Sequence, residues 1–457
     1  MFQYIPRRIS TRTMIGIAFL LGCSSGPIAR TWPDRGDDGT GIATAGPRGV
    51  GGDAAGGRGG GGGGAGGLAG KDGGGSANLV GATGGGARNS DAGSGDAGSG
   101  DAGAGSDARR ADVAAGAFDG AVLYVTNDDG SLYAYQVGTW TQLAHWTGLR
   151  INDGVRGIDA DPQKGVIFIA HGGDALSSHG GLLAWSLATQ QTIYNVTFNH
   201  GIDQFAFGGA QIYMPAGELA GTTTWYVLNA ADGTQVGTET GGSYPHNTMY
   251  VNGHRYYGGR QSNSLVVKGI GAGTIGPSPS SRAGVRPFTV NAAETRVWIT
   301  WTRYRGFSVG SVQTGAIVAS VNFGPVPWGY TPSAASHGIS LSPDGGEIYV
   351  LDTPNNAVRV YDGSDSPQLK AMISLQHPIY PGLESGCAYD CDKDGWVLHS
   401  RDGRYVYVGD SGDVIDTQTR QVTGHVPALQ NSRHGFIEVD WSNGAPTRTT
   451  THFGRSY

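Results

Sequence analysis

Six side chains able to bind a metal or an anion recur at the head of similar stretches: Arg156-Gly157-Ile158-Asp159, His200-Gly201-Ile202-Asp203, His246-Asn247-Thr248-Met249, Arg286-Pro287-Phe288-Thr289, His337-Gly338-Ile339-Ser340 and His434-Gly435-Phe436-Ile437. Neutral imidazoles are the commonest transition-metal ligands, at about 2.0–2.1 Å. His200, His246, His337 and His434 would therefore hold iron or copper if the fold brought them to one point. Arg156 and Arg286 pull the other way, because fixed positive charges oppose a cation and suit a carboxylate or phosphate. A third reading makes the polar residue part of the repeat itself, recurring without any ligand or else lining an unassigned small-ligand pocket.

Other motifs carry less. Asp390, Asp392, Asp394 and Gly395 begin like a calcium loop, but Arg401 stands where a bidentate glutamate belongs. Gly409-Asp410-Ser411-Gly412 copies a serine-protease nucleophile signature without the histidine and aspartate context that would activate it. No Walker loop, dinucleotide fingerprint after a strand or HExxH zinc motif occurs. Cys387 and Cys391 form one neighbouring pair, which an oxidising compartment would join as a local disulfide, with a metal or redox role for Cys-x-x-x-Cys as the alternative. The catalytic residues, if any, are unknown at this level.

The elements that must position these residues are strands. From Ala121 onward, short β-branched and aromatic runs alternate with Gly, Asp, Asn and Pro, without a helical period. The clearest unit runs from His337 through Ser342-Pro343-Asp344-Gly345 and Ile348-Tyr349-Val350 to Asn355-Asn356 and Val358-Arg359-Val360-Tyr361. Its relatives begin 40 to 58 residues apart, the last near Gly395, and such periods are those of four-stranded propeller blades. With Leu123-Tyr124-Val125-Thr126-Asn127 added, residues 121–441 resemble the YVTN-repeat family. That resemblance implies an all-β, seven-bladed β-propeller over residues 117–457.

The run Ala121–Trp146 lacks a first strand, and His434–Asp440 is a first strand without a blade. The two should complete each other and close the ring, removing sheet edges. Pseudo-symmetry then gathers His434, Arg156, His200, His246, Arg286, His337 and Gly395 at one rim, with a one-residue uncertainty at His200. His399 drops out, because aligning Ser400-Arg401-Asp402-Gly403 on Ser342-Pro343-Asp344-Gly345 sets it opposite Leu341. A buried, hydrogen-bonded role is expected for it. Two long loops, Pro325–Ser336 with Trp328 and Tyr330, and His377–Asp394 with Tyr380 and Tyr389, should overhang the same rim.

The N-terminal quarter belongs to another regime. Arg7, Arg8 and Arg12 precede the apolar run Met14–Leu21, too short to span a bilayer as a helix. Leu20-Leu21-Gly22-Cys23 resembles the lipobox of bacterial lipoproteins, which implies a signal peptide over 1–22 and a lipid on Cys23. Residues 23–116 hold tracts such as Gly59–Gly64 and three Asp-Ala-Gly-Ser-Gly-like repeats from Asp91. They have too little apolar surface to offset their ordering entropy, so a flexible tether is expected. The whole chain, with 82 glycines and 38% hydrophobic residues, carries a net charge of −6 from 31 basic and 37 acidic residues, which leaves no broad basic footprint for nucleic acid.

These features combine into a monomeric lipoprotein at the outer membrane or cell surface, with the propeller as a non-catalytic binding scaffold for a protein or small molecule. Ser24 after the lipid cysteine favours the outer membrane in a two-membrane cell. A metal-dependent oxidoreductase using iron or copper in a histidine-lined channel is the alternative.

Overall fold

The computed structural model describes residues 118–151, 154–172, 179–217, 221–282, 284–385 and 392–450, all within the compact unit Ser99–Tyr457. Cys23, the leader, the linker and the pair Cys387 and Cys391 lie outside the described residues. Seven antiparallel sheets form a seven-bladed β-propeller. Blades 2 to 7 take their four strands consecutively, with innermost strands Val155–Asp161, Ala206–Gly208, Pro245–Val251, Val285–Val290, Ile339–Leu341 and Trp396–His399. Among the described residues no helix is long and apolar enough to cross a membrane.

Blade 1 is the composite anticipated from the sequence. Phe436–Ser442 pairs antiparallel with Gly120–Thr126, Val122 opposite Val439, and Leu132–Gln136 and Gln142–Trp146 complete the blade. A further strand, Ala445–Thr449, pairs with the other edge of Phe436–Ser442. Being the axial neighbour of an innermost strand, it lies on the channel side, a placement not anticipated from the sequence.

Burial follows position in the blade. Middle strands such as Val166–His171 pack sheets on both faces and are buried throughout, so their sequence is a continuous apolar run. Outermost strands such as Gln235–Thr240 and Ile317–Asn322 alternate toward solvent. Tryptophans 225, 298, 301 and 396 are wholly buried between sheets.

The Ser-x-Asp-Gly turn has a local mechanism. In blade 6 the Asp344 carboxylate accepts from Ser342 Oγ (2.6 Å) and from the Gly346 amide, while Gly345 takes φ of +75° and its N–H bonds to the Ser342 carbonyl. Blade 7 repeats this at Ser400, Asp402 and Gly403. The shared turn supports the alignment that removed His399 from the rim.

Candidate functional site at the channel mouth

In three blades the rim residue is a β-bulge. Register shifts between Val155 and Gly157, between Pro245 and Asn247, and between Val285 and Phe288 isolate Arg156, His246 and Arg286 from the ladder. A bulge re-aims a side chain that a regular strand would alternate away. In blades 3, 6 and 7 the innermost strand is short and begins only after its rim residue.

The rim is a belt of groups bonded to one another. Asp203 Oδ2 lies 2.5 Å from His246 Nδ1, and Arg286 Nη1 lies 3.2 Å from His246 Nε2. An arginine can only donate, so Nε2 accepts and Nδ1 carries the proton toward Asp203. Arg286 also donates to Thr302 Oγ1 (2.9 Å) and Ser333 Oγ (2.7 Å). His337 donates from Nδ1 to the Gly395 carbonyl (3.0 Å), with Asp394 Oδ1 at 3.1 Å. Burial, followed by the charges of Arg433 and Arg286, holds His337 well below the ordinary imidazole range.

Arg433 is the hub of the next sector. Its Nε lies 3.0 Å from Asp394, its Nη2 lies 3.2 Å from Glu384, and its Nη2 donates to the Asp392 carbonyl (2.6 Å). Burial, then Glu384, pushes Asp128 up to about 7, and the same two causes raise Asp410 well above the usual carboxylate range. Asp128 Oδ1 accepts the Val155 amide at 2.7 Å, beside Arg156, whose Nε donates to the Gly172 carbonyl at 3.3 Å.

Set against the sequence reading, Arg156, His246, Arg286, His337 and His434 are buried at the starts of innermost strands. His200 is not on the rim. Its ring stacks on Tyr226 (15° between planes) and its Nε2 bonds the Tyr226 hydroxyl on the third strand of blade 3. Asp203, three residues on, reaches the neighbouring rim residue instead. In blade 7 the corresponding contribution comes from Asp394 rather than Gly395. The four-histidine iron or copper centre gains no support from this arrangement: Nε2 of His246 is occupied by an arginine and Nε2 of His200 by a tyrosine. Arg156 and Arg286, the candidate anion ligands, each donate to neighbouring protein groups. His399 has the expected buried role. It bonds Ser340 Oγ at 2.8 Å, and burial lowers its pKa to about 3.

Two features escaped the sequence reading. Arg433, next to His434, could have been noticed as a second polar residue at that repeat start. Among the described residues, the one set of three potential ligands whose donor atoms all lie within 4.8 Å is His377, Asp413 and His425. Its legible signal was the hairpin register that puts Asp413 directly opposite His425.

The overhanging loops meet as expected: Tyr330 and Tyr380 pack with centroids 4.8 Å apart, and the Tyr380 hydroxyl donates to the Gly329 carbonyl. Trp328 is fully exposed beside them, as is most of Leu383. Tyr389 lies outside the described residues. At the opposite end of the innermost strands, a cavity of about 510 Å³ is lined by Asp159, Lys164, Phe207, Tyr250 and the added strand's Thr447 and Arg448.

No family model matches the chain, and no curated protein does. Solved structures do. A functionally unknown protein from Desulfotomaculum acetoxidans aligns at TM-score 0.51 and 10% identity, over 71% of this chain and 100% of that one. A putative 6-phosphogluconolactonase from Bacteroides fragilis aligns at 0.52 and 12%, over 72% and 96%. The periplasmic gluconolactonase PpgL of Pseudomonas aeruginosa aligns at 0.48 and 12%, over 74% and 97%. The chain shares its fold with the first two of these, and at such identities the likeness reaches no further.

Proposed function

We propose that the chain is a YVTN-type, membrane-tethered extracytoplasmic binding module whose channel-mouth face receives a protein or small-molecule partner without catalysis. The observation that carries this reading is the aromatic and apolar rim: a fully exposed Trp328, with exposed Leu383 nearby, on loops that Tyr330 and Tyr380 hold together. Exposed aromatic anchors on preordered loops are what binding faces use. The belt beneath gives that face a rigid base, because His246, His337, Arg286 and Arg433 are bonded to neighbouring protein groups. The lipobox-like leader and the Gly-rich run support tethering.

Site-specific photo-crosslinking in the full chain tests the face. A crosslinker at position 328 should trap a partner that one at Val236, exposed on an outer strand of blade 3, does not, and Cys23→Ser should release the chain from membranes. Equal trapping from both positions, or none from 328, would overturn the proposed face.

A further inference from the structure

Blade 7 carries a second constellation, independent of the belt and of the binding role proposed above. Its three members come from three segments: His377 from the loop between blades 6 and 7, Asp413 at the start of the third strand (Asp413–Asp416), and His425 at the end of the fourth (Gln421–His425). Cross-strand pairing holds the last two opposite each other.

The carboxylate of Asp413 is wholly buried and already oriented. Its Oδ2 accepts the amides of Gln376 (2.6 Å) and His377 (3.2 Å), which leaves Oδ1 facing the imidazoles. His377 Nδ1 lies 2.6 Å from that oxygen and His425 Nδ1 lies 4.0 Å from it. The two rings sit 4.0 Å apart with a 30° tilt. Nδ1 of His425 is buried and makes no hydrogen bond. A merely structural Asp–His pair would account for His377, and a backbone hydrogen bond to Gly412 engages the His425 ring, but His425 Nδ1 is left without a partner.

Two further contacts hold the arrangement. Ser411, from the Gly-Asp-Ser-Gly motif, donates Oγ to the His377 carbonyl at 2.6 Å and so fixes the loop to the blade. The His425 ring lies over Gly412, where a Cβ would come within 2.5 Å of it. The motif that resembled a nucleophile signature thus acts as a scaffold for these ligands.

We propose that His377 Nδ1, His425 Nδ1 and Asp413 Oδ1 form a binding site for one divalent transition-metal ion, of the zinc or copper class, with its remaining coordination positions open to solvent. Bonds of about 2.0–2.1 Å at a tetrahedral centre set ligands about 3.3 Å apart. The two nitrogen-to-oxygen separations of 2.6 and 4.0 Å bracket that value and all three donor atoms lie within 4.8 Å of one another, so side-chain shifts of about 1 Å would bring them to it. Two imidazoles and one carboxylate suit such ions, and the backbone amides on Oδ2 supply the outer contacts that orient a ligating carboxylate. Both histidine side chains are about one-third exposed (40% and 31%), which gives an ion and its waters access.

Zinc alone, titrated calorimetrically into the full chain after chelator treatment, should bind at one ion per chain. Cobalt substitution should give a visible spectrum of nitrogen and oxygen ligation without thiolate charge-transfer bands, which separates this site from Cys387 and Cys391. His377→Gln and His425→Gln, both partly exposed and able to fold, should each weaken binding by more than about a hundredfold, beyond the tenfold to hundredfold typical of outer-sphere losses. His337→Gln, in the belt, should leave it unchanged. Absence of saturable binding, thiolate bands, or affinity that survives His377→Gln and His425→Gln would overturn the proposal. Loss of binding in His337→Gln alone would place the ion in the belt instead.

Discussion

The belt at the channel mouth and the edge of blade 7 both bring histidine to carboxylate, with opposite results. In the belt, His246 is buried between Asp203 and Arg286, and each ring nitrogen has a protein partner. At the blade edge, His377 and His425 share one carboxylate oxygen, face each other and reach solvent. Burial forces polar groups to satisfy one another, because each one left unpaired costs about 1–3 kcal/mol. At the blade edge that pressure is left unrelieved at one atom, His425 Nδ1, which is buried without a hydrogen bond although the rest of its ring reaches solvent. Counting histidines on a rim therefore points to the less available set.

The largest effect should come from removing the belt's floor. The indole of Trp396 is wholly buried and meets the rings of His337 and His434 edge-on, with centroids at 5.6 and 5.7 Å. Trp396→Ala should cost about 3–5 kcal/mol of unfolding free energy by denaturant titration. A loss under about 1 kcal/mol would mean that the belt does not rest on it.

The comparison itself is sharpened by two histidines measured side by side without added metal. His246→Ala strands a buried carboxylate and an arginine donor, so about 2–3 kcal/mol should be lost. His377→Ala leaves both backbone amides on the buried Asp413 carboxylate and opens its Oδ1 to water from the exposed side of the ring, so it should cost about 1 kcal/mol, less than His246→Ala. Equal costs would break the distinction between a consumed and an available site.

A smaller effect isolates burial from geometry. Asp128 has its pKa pushed up to about 7 from 3.8 by burial and then by Glu384. A carboxyl raised on folding holds its proton more tightly in the native state. Its stabilising contribution is complete below about pH 4 and is lost as pH rises through about 7. Asp128→Asn keeps an oxygen for the Val155 amide and cannot ionise. Its stability relative to wild type should therefore rise between pH 5 and pH 8 in parallel denaturation curves. A difference independent of pH would show that Asp128 is ionised in the folded protein.

Much of the architecture was legible in the residues. The alternation and turn chemistry around Ser342-Pro343-Asp344-Gly345 are local properties, and repetition at blade-sized intervals fixes how many such units must close. The split of blade 1 between Gly120–Trp146 and Phe436–Ser442 followed from two incomplete units. His200 shows where that reasoning stops. A repeat alignment places residues along a strand, but the chain before Ala206 is not yet a strand, and three residues of irregular backbone turn His200 to Tyr226 and bring Asp203 inward.

Sequence alone determined the strands, the number of blades and the face where polar residues gather, because these depend on period and on contacts between near neighbours. Only the tertiary structure decided what those residues do. Bulges take Arg156, His246 and Arg286 out of the ladder, and Arg433 gathers Glu384 and Asp394 from a loop about 40 to 50 residues away in the chain. His377 meets Asp413 across 36 residues of chain. Such meetings follow from sheet curvature and loop closure, which join residues with no mutual signature in the sequence.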